Sequence, residues 1–597
     1  MTHSPRPRRA RTKTAVTVAC FVFASAAFLA AAALCARPAA ASPYDRDAHD
    51  ACTNFLVTKG ASADGSTFIT YNADSHSLYG ELDLRPAGLH GAGEKIPVHE
   101  WDTGKYLGEI DEAPETYWVV GNMNEHQVSL GETTFGGREG LRDTTGVVDY
   151  GSLMYLALAR AKTAREAIKV MTDLVARYGY YSEGESFSVA DPDEAWILEM
   201  VGKGPGSKGA VWVAVRVPDG YVSGHANQSR IRQFPLHDPA NCLYAPDVIK
   251  FARDKGWFSG KDEEFSFADT YNPLEFGSLR ACEARVWCGF TRVAPSLHLP
   301  PDYAMGDITA PTLPLWVKPD RKLTARDVMD LMRDHFEGTP MDLSQGVGAG
   351  PFHLPYRWRP MEWKVDGQEY LHERSTSTQQ TGFTFVAQMR RPLPDPIGGV
   401  LWFGVDDAYC TVYAPMYCGI RAVPRSFAAG TADWMHFSWD SAFYVFNFVA
   451  NWTYSRWSDM IKDLQLVQRE LEGGFFARQG EVEREAVALY QRSPAEAIDY
   501  LTRYSCDQGE MVTARWRKLG EFLLWKYMDG NVKDEFGVAQ HPPYPEDWYR
   551  RIVAEDSVKL KIRKLPTPVP TTPWTQPTAS AASPKATGAT APAATTH

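Results

Sequence analysis

The sequence predicts an α+β protein, and three observations carry that reading. From residue 52 to about 230, short strand-like runs joined by tight turns interleave with an amphipathic helix. Strand-like runs return between 381 and 414. From 428 to about 534 the apolar residues recur at helical spacing instead. The chain has 597 residues, 44% hydrophobic and 12% aromatic, so a large core is within reach.

In chain order, residues 1–41 have the three parts of an export signal. Arg6, Arg8, Arg9, Arg11 and Lys13 make a positive start, and 15–34 is apolar and rich in small residues. Ala39-Ala40-Ala41 then offers a small-x-small cleavage site before Ser42. The apolar run is also long enough to stay in a bilayer as an anchor. Its alanine content and the adjoining cleavage site favour removal. Residues 42–51 read as a short propeptide. Residues 52–58 and 66–73 alternate like two strands around a turn at 61–65. Thr163-Ala-Arg-Glu166 is a capping box opening a helix that Gly179 ends. A meander follows at 186–190, 195–200, 211–217 and 221–224, with turns at Asp191-Pro-Asp-Glu194 and Pro218-Asp-Gly220. Residues 231–375 are loop-rich. Strands resume at 381–388, 399–405 and 410–414, and the helical stretches 452–470 and 495–504 come after them. One domain is expected over 52–560. The 566–597 tail is Pro/Thr/Ala-rich without apolar periodicity and reads as disordered.

The formal net charge is −11, and the leader holds six of the 62 basic residues and no acid. The exported form therefore carries 56 basic against 73 acidic residues. That excess argues against a nucleic-acid partner, which needs a basic footprint. Beyond the leader no apolar run is long enough to span a membrane, so no stable insertion is expected after cleavage. The expected location is secreted or at the cell envelope. Cys242, Cys282, Cys288, Cys410, Cys418 and Cys506 permit three disulfides, and at least one is expected in an exported chain. Their spacings fit no zinc pattern and there is no His-Glu-x-x-His, so no metal or cofactor is expected.

Cys52 is the residue with chemistry in it. If the leader and 42–51 are removed, Cys52 begins the mature chain. Its α-amine, with an unperturbed pKa near ~8, can then take the proton from its own thiol. A hairpin centred on Ala63 pairs residues whose numbers add to 126, which sets Asp74 opposite Cys52. Asp74 is then placed to orient the α-amine. The same residues also fit an ordinary hairpin with a buried cysteine.

The segment from Cys52 to Ser66, continuing into Tyr71-Asn-Ala-Asp-Ser-His76, resembles the mature start of the C69 dipeptidase family. That family is part of the N-terminal nucleophile hydrolase superfamily. Further blocks match in order: Asn124-Glu125 with Val128-Ser-Leu-Gly-Glu132, Glu194-Ala-Trp-Ile-Leu-Glu199, Trp212-Val-Ala-Val-Arg216, and Ala226-Asn-Gln-Ser-Arg-Ile231. Tyr356-Arg-Trp-Arg-Pro360, Phe385-Val-Ala-Gln388 and a block from Pro394 to Phe403 follow. The likeness spans about 52–545.

The resemblance implies a four-layer αββα fold with a helical C-terminal extension. It implies roles as well. Cys52 is nucleophile and base, and Asp74 orients its amine. Asn227 donates to the oxyanion, a contribution of about 3 kcal/mol in comparable sites. Asn124 is a second oxyanion or substrate contact. Arg230 binds a substrate carboxylate. Each has a plainer alternative: a turn residue for Asn227, a cap for Asn124, a salt bridge for Arg230. One departure stands out, because Tyr71 occupies a position where many relatives carry Arg. Thiol activation must then come from elsewhere. The implied activity is hydrolysis of unblocked dipeptides through a thioester. Two other readings remain open: an acylase of the same fold, and a non-catalytic envelope-associated binding protein. A homo-oligomer is left open. No Cys-Gly-Ser-Cys-Trp block and no Gly-x-Ser-x-Gly elbow occurs.

Overall fold

A computed structural model describes residues 52–75, 77–358 and 361–562. The expected leader, propeptide and tail lie outside the described residues. The chain falls into two compact units, one running to Pro542 and the other starting at Pro543. The second unit holds the Glu546–Leu560 helix, with Glu546 and Asp547 in its first turn. The unit that carries Cys52 thus ends short of the expected 560.

Two antiparallel sheets build the first unit. The seven-stranded sheet runs Trp316–Val317, Val222–His225, β1 (Asn54–Val57), β2 (Thr67–Asp74), Thr381–Met389, Val400–Val405, Ala414–Tyr417. The eight-stranded sheet runs Cys242–Tyr244, Ala210–Arg216, Ala195–Gly202, Gly184–Ala190, Ser129–Gly136, Met123–Asn124, Val119–Val120, Leu84–Arg85. Leu56, Ile69, Ile197 and Val213, drawn from both sheets, share one buried core. His225 bridges the sheets, 2.7 Å from Thr133 Oγ1 and 2.8 Å from Ser188 Oγ.

Helices cover both outer faces. Ala167, Ile168, Met171 and Val175 of the Ala164–Tyr178 helix pack with Phe187, Trp196 and Leu198 outside the eight-stranded sheet. Outside the other sheet lie Ala325–Met332, Ala442–Tyr454, Trp457–Arg492 and Pro494–Tyr527, whose apolar sides join Trp402 and Met416. The layer order is helix, sheet, sheet, helix, in an α+β protein. Strands buried on both faces explain why Thr67–Asp74 and Ala195–Gly202 are buried along their whole length. No helix among the described residues is long and apolar enough to cross a membrane.

The helix expected at the capping box begins as predicted. Thr163 Oγ1 accepts from the Glu166 amide at 3.2 Å, and Gly179 ends it at φ 84°. Glu166 turns its carboxylate to the Lys162 amide, so the box is not reciprocal. Four expectations need correction. Pro218-Asp-Gly220 is not a hairpin turn, because the chain there crosses from the Ala210–Arg216 strand into the other sheet beside β1. The strand expected at 410–414 forms at Ala414–Tyr417. The described cysteines form no disulfide with one another. Cys288 instead donates to Asp334 and Cys418 to the Asp395 carbonyl.

The fourth correction bears on the site. In the first hairpin Leu56 faces Ile69, Val57 faces Phe68 and Thr53 faces Asn72. The register is one residue short of the expected one, so Ala73 takes the place opposite Cys52. A single-residue shift exchanges the faces of a strand. Its cause is tertiary: Lys59–Ala61 forms a 3₁₀ turn, and the Ala63 amide is held by the Leu323 carbonyl at 2.8 Å.

Candidate active site

Cys52 sits directly ahead of β1. Thr53 exchanges two backbone hydrogen bonds with Asn72, at 3.2 and 3.0 Å, so the residue after the thiol is fixed to β2. The Cys52 carbonyl accepts from Arg285 Nη1 at 2.7 Å, and the same nitrogen donates to Thr53 Oγ1 at 2.8 Å. Arg285 Nη2 donates to Asn227 Oδ1 at 2.9 Å and to the Ala226 carbonyl at 3.2 Å. One guanidinium on the Ala284–Val293 helix therefore joins the head of β1 to the loop leaving the neighbouring strand. Arg285 is fully buried, and burial followed by the charge of Arg374 draws its pKa down to about 10.

Asn227 has a left-handed backbone at φ 60°, a conformation asparagine tolerates better than most residues. Its side-chain amide donates to the Thr134 carbonyl at 2.7 Å while Arg285 holds its oxygen. The orientation of this amide is thus set from both ends, beside the Cys52 backbone.

The thiol faces acid and hydroxyl groups. Cys52 Sγ lies 3.6 Å from Tyr71 Oη and 3.6 Å from Glu132 Oε1, and Tyr71 donates a short hydrogen bond to the same Glu132 oxygen. Burial, then the charges of Cys52 and Glu132, hold the Tyr71 hydroxyl well above its usual pKa. It stays protonated and acts as a donor. Its ring packs in T-shaped pairs with those of Phe383 and Phe385, with centroids 5.5 and 5.8 Å away. Glu185 lies on the adjacent strand, its Oε1 accepting from Thr134 Oγ1 at 3.0 Å. Burial and the neighbouring Glu132 push the Glu185 carboxyl well above the carboxylate range.

Of the expected site residues, Cys52 and Asn227 are brought together, through Arg285. Asp74 closes β2 but turns to Arg374 Nη2 at 2.7 Å and Thr381 Oγ1 at 2.6 Å. Burial raises its pKa, opposed by Arg374. The opposed pairing with Cys52 is absent, for the register reason above. Asn124 does not belong to the group. Its Nδ2 donates to the Leu158 and Ala161 carbonyls, both at 2.7 Å, and its oxygen accepts from the His126 and Val128 amides. Both amide hydrogens are engaged, so none is left for an oxyanion; Asn124 ties a turn to the end of a helix. Arg230 is buried as well. It pairs with Glu283 at 2.9 Å and donates to the Gly224 and Pro314 carbonyls, both at 2.8 Å, so a substrate carboxylate meets an occupied guanidinium.

Arg285, Glu132, Glu185 and Arg374 went unrecognised as site residues in the sequence. Glu132 lay inside a matched block without a role. Arg285 had one signal, a cation directly before Val286-Trp287-Cys288. Among the described residues no group of three or more His, Cys, Asp or Glu side chains is arranged to hold a metal ion.

The model of Peptidase family C69 matches residues 51–84 and 94–470. A probable dipeptidase of Salmonella dublin is 26% identical over 395 residues, covering 62% of this chain and 82% of its own. A probable dipeptidase of Latilactobacillus sakei is 24% identical, covering 66% and 80%. A probable dipeptidase B of Streptococcus pyogenes serotype M1 is 22% identical, covering 79% and 93%.

Proposed function

We propose, from the premise that the chain belongs to peptidase family C69, that it is an exported cysteine dipeptidase whose nucleophile becomes the first residue of the mature chain. The observation that carries this is the setting of Cys52. It stands at the head of an inner strand, its carbonyl fixed by Arg285 and its thiol turned to Tyr71 and Glu132. The helix–sheet–sheet–helix order supports an N-terminal nucleophile hydrolase fold.

In the mature enzyme the Cys52 α-amine takes the thiol proton. The sulfur then adds to the scissile carbonyl carbon, and the charge that develops on oxygen is met by the Asn227 amide that Arg285 orients. The α-ammonium gives its proton to the leaving amine, the C–N bond breaks, and a thioester remains. Water activated by the α-amine cleaves the thioester and restores the thiol. The buried cation that Tyr71 does not supply is provided by Arg285, through the Cys52 backbone rather than the sulfur.

Residues 42–51 leave when Cys52 attacks the Ala51 carbonyl and water cleaves the resulting thioester. Intact-mass analysis of active exported protein tests the proposal, and a start at Cys52 is expected. Active protein that still begins near Ser42 would refute it. Hydrolysis of N-acyl amides in preference to free dipeptides would favour the acylase reading.

A further inference from the structure

We propose that Glu132 and Glu185 together receive the α-ammonium of the dipeptide, an inference that rests on the dipeptidase reading. Covalent geometry sets the distance. In an amino acid the α-nitrogen lies about 2.5 Å from its own carbonyl carbon. That carbon must come within about 3–3.5 Å of the attacking sulfur. A group that binds the ammonium must therefore lie within a few ångströms of Cys52 Sγ, and Glu132 Oε1 is 3.6 Å away.

The pair is built for a cation. Glu132 and Glu185 are each 1% exposed. Two buried carboxylates side by side resist double ionisation unless positive charge or a proton comes between them. Glu185 Oε2 is buried and meets no hydrogen-bond donor among the described residues. An ammonium brings three donors and one compact charge. Tyr71 fits the same logic. An arginine there would place a fixed positive charge against Glu132, whereas the tyrosine hydroxyl gives it a neutral hydrogen bond. An N-acylated substrate brings no cation and leaves the pair unmatched, which is a strong basis for rejection.

The test compares L-alanyl-L-alanine with its N-acetyl form on mature enzyme, by kcat and KM. Wild type is expected to favour the free dipeptide at least 100-fold in kcat/KM. Glu185→Gln and Glu132→Gln are expected to cut that preference at least tenfold, mainly through KM for the free dipeptide. Glu185→Asp, which keeps an ionisable carboxyl, should retain more of it than Glu185→Gln. Equal losses on both substrates would overturn the inference, since the carboxylates would then serve the enzyme's own amine or its packing. A preference left within twofold of wild type would overturn it too. If the glutamine variants do not fold, Thr134→Val removes the hydroxyl that fixes Glu185, and an unchanged preference there overturns the proposal. A wild-type ratio near one refutes the dipeptidase reading itself, whereas a high ratio that the variants preserve refutes the ammonium receptor alone.

Discussion

Replacing Arg285 with lysine separates the positioning role of this residue from its charge. The guanidinium has two arms: Nη1 on the Cys52 carbonyl and Thr53 Oγ1, Nη2 on Asn227 Oδ1 and the Ala226 carbonyl. A lysine ammonium is a single point on a flexible stem and can serve one arm. If it keeps the Cys52 side, Asn227 loses one of the two contacts that set its amide and is held by the Thr134 carbonyl alone. A misplaced oxyanion donor costs about 3 kcal/mol, or on the order of 100-fold in kcat. The Ala226 carbonyl is buried, and leaving it without a donor costs about 1–3 kcal/mol of stability. The expected result is therefore kcat down about 100-fold, KM within threefold, and a modest fall in the urea midpoint. Amine release from a free dipeptide, normalised to titratable N-terminal thiol, gives kcat per folded enzyme. A kcat within threefold of wild type, with stability alone reduced, would refute the positioning role and make Arg285 structural.

Three further outcomes are expected. Cys52→Ala should retain residues 42–51 by intact mass; clean processing of that variant would assign the cut to another protease. Arg230→Ala should show itself as lost stability of about 3–5 kcal/mol, because Glu283 is left buried without its partner. A rise in KM with normal melting would instead restore Arg230 as a carboxylate clamp. His225 should make stability acid-sensitive. Burial, then the charge of Arg230, lowers its pKa from 6.5 to about 3. The folded state thus binds fewer protons than the unfolded one between those values. Its contribution is full above pH 6.5 and is lost as pH falls toward 3, by up to about 5 kcal/mol. Urea midpoints at pH 7 and 4.5 for wild type and His225→Gln check this; parallel losses in the two proteins would remove His225 as the cause.

Much of the site's neighbourhood was legible because it depends on local pattern. Cys52 stood out through its place behind a leader and ahead of an alternating strand. Asn227 stood out through a block of residues that match in order. The partners of the thiol were not legible, because Glu132, Tyr71 and Arg285 converge from two sheets and a helix. Arg230 and Asn124 show the opposite error. A polar residue in a matched block invites a role in chemistry, yet both are consumed by hydrogen bonds that only the packed structure reveals.

By itself the sequence determined the periodicities: strands where residues alternate, helices where apolar positions recur, a helix started by Thr163 and ended by Gly179. These depend on neighbours within a turn or a strand, so they can be read from a window of residues. Tertiary structure decided the register of the first hairpin, the crossing of 222–225 into the seven-stranded sheet, and the fate of each buried charge. Register turned on Leu323 holding the Ala63 amide, a contact 260 positions away in the chain. A buried charge has no energy of its own to read, because its cost is set by whichever partner the fold brings to it. Asp74 shows this: its place at the end of β2 was foreseen, but Arg374, brought from 300 residues further on, decided where its charge points.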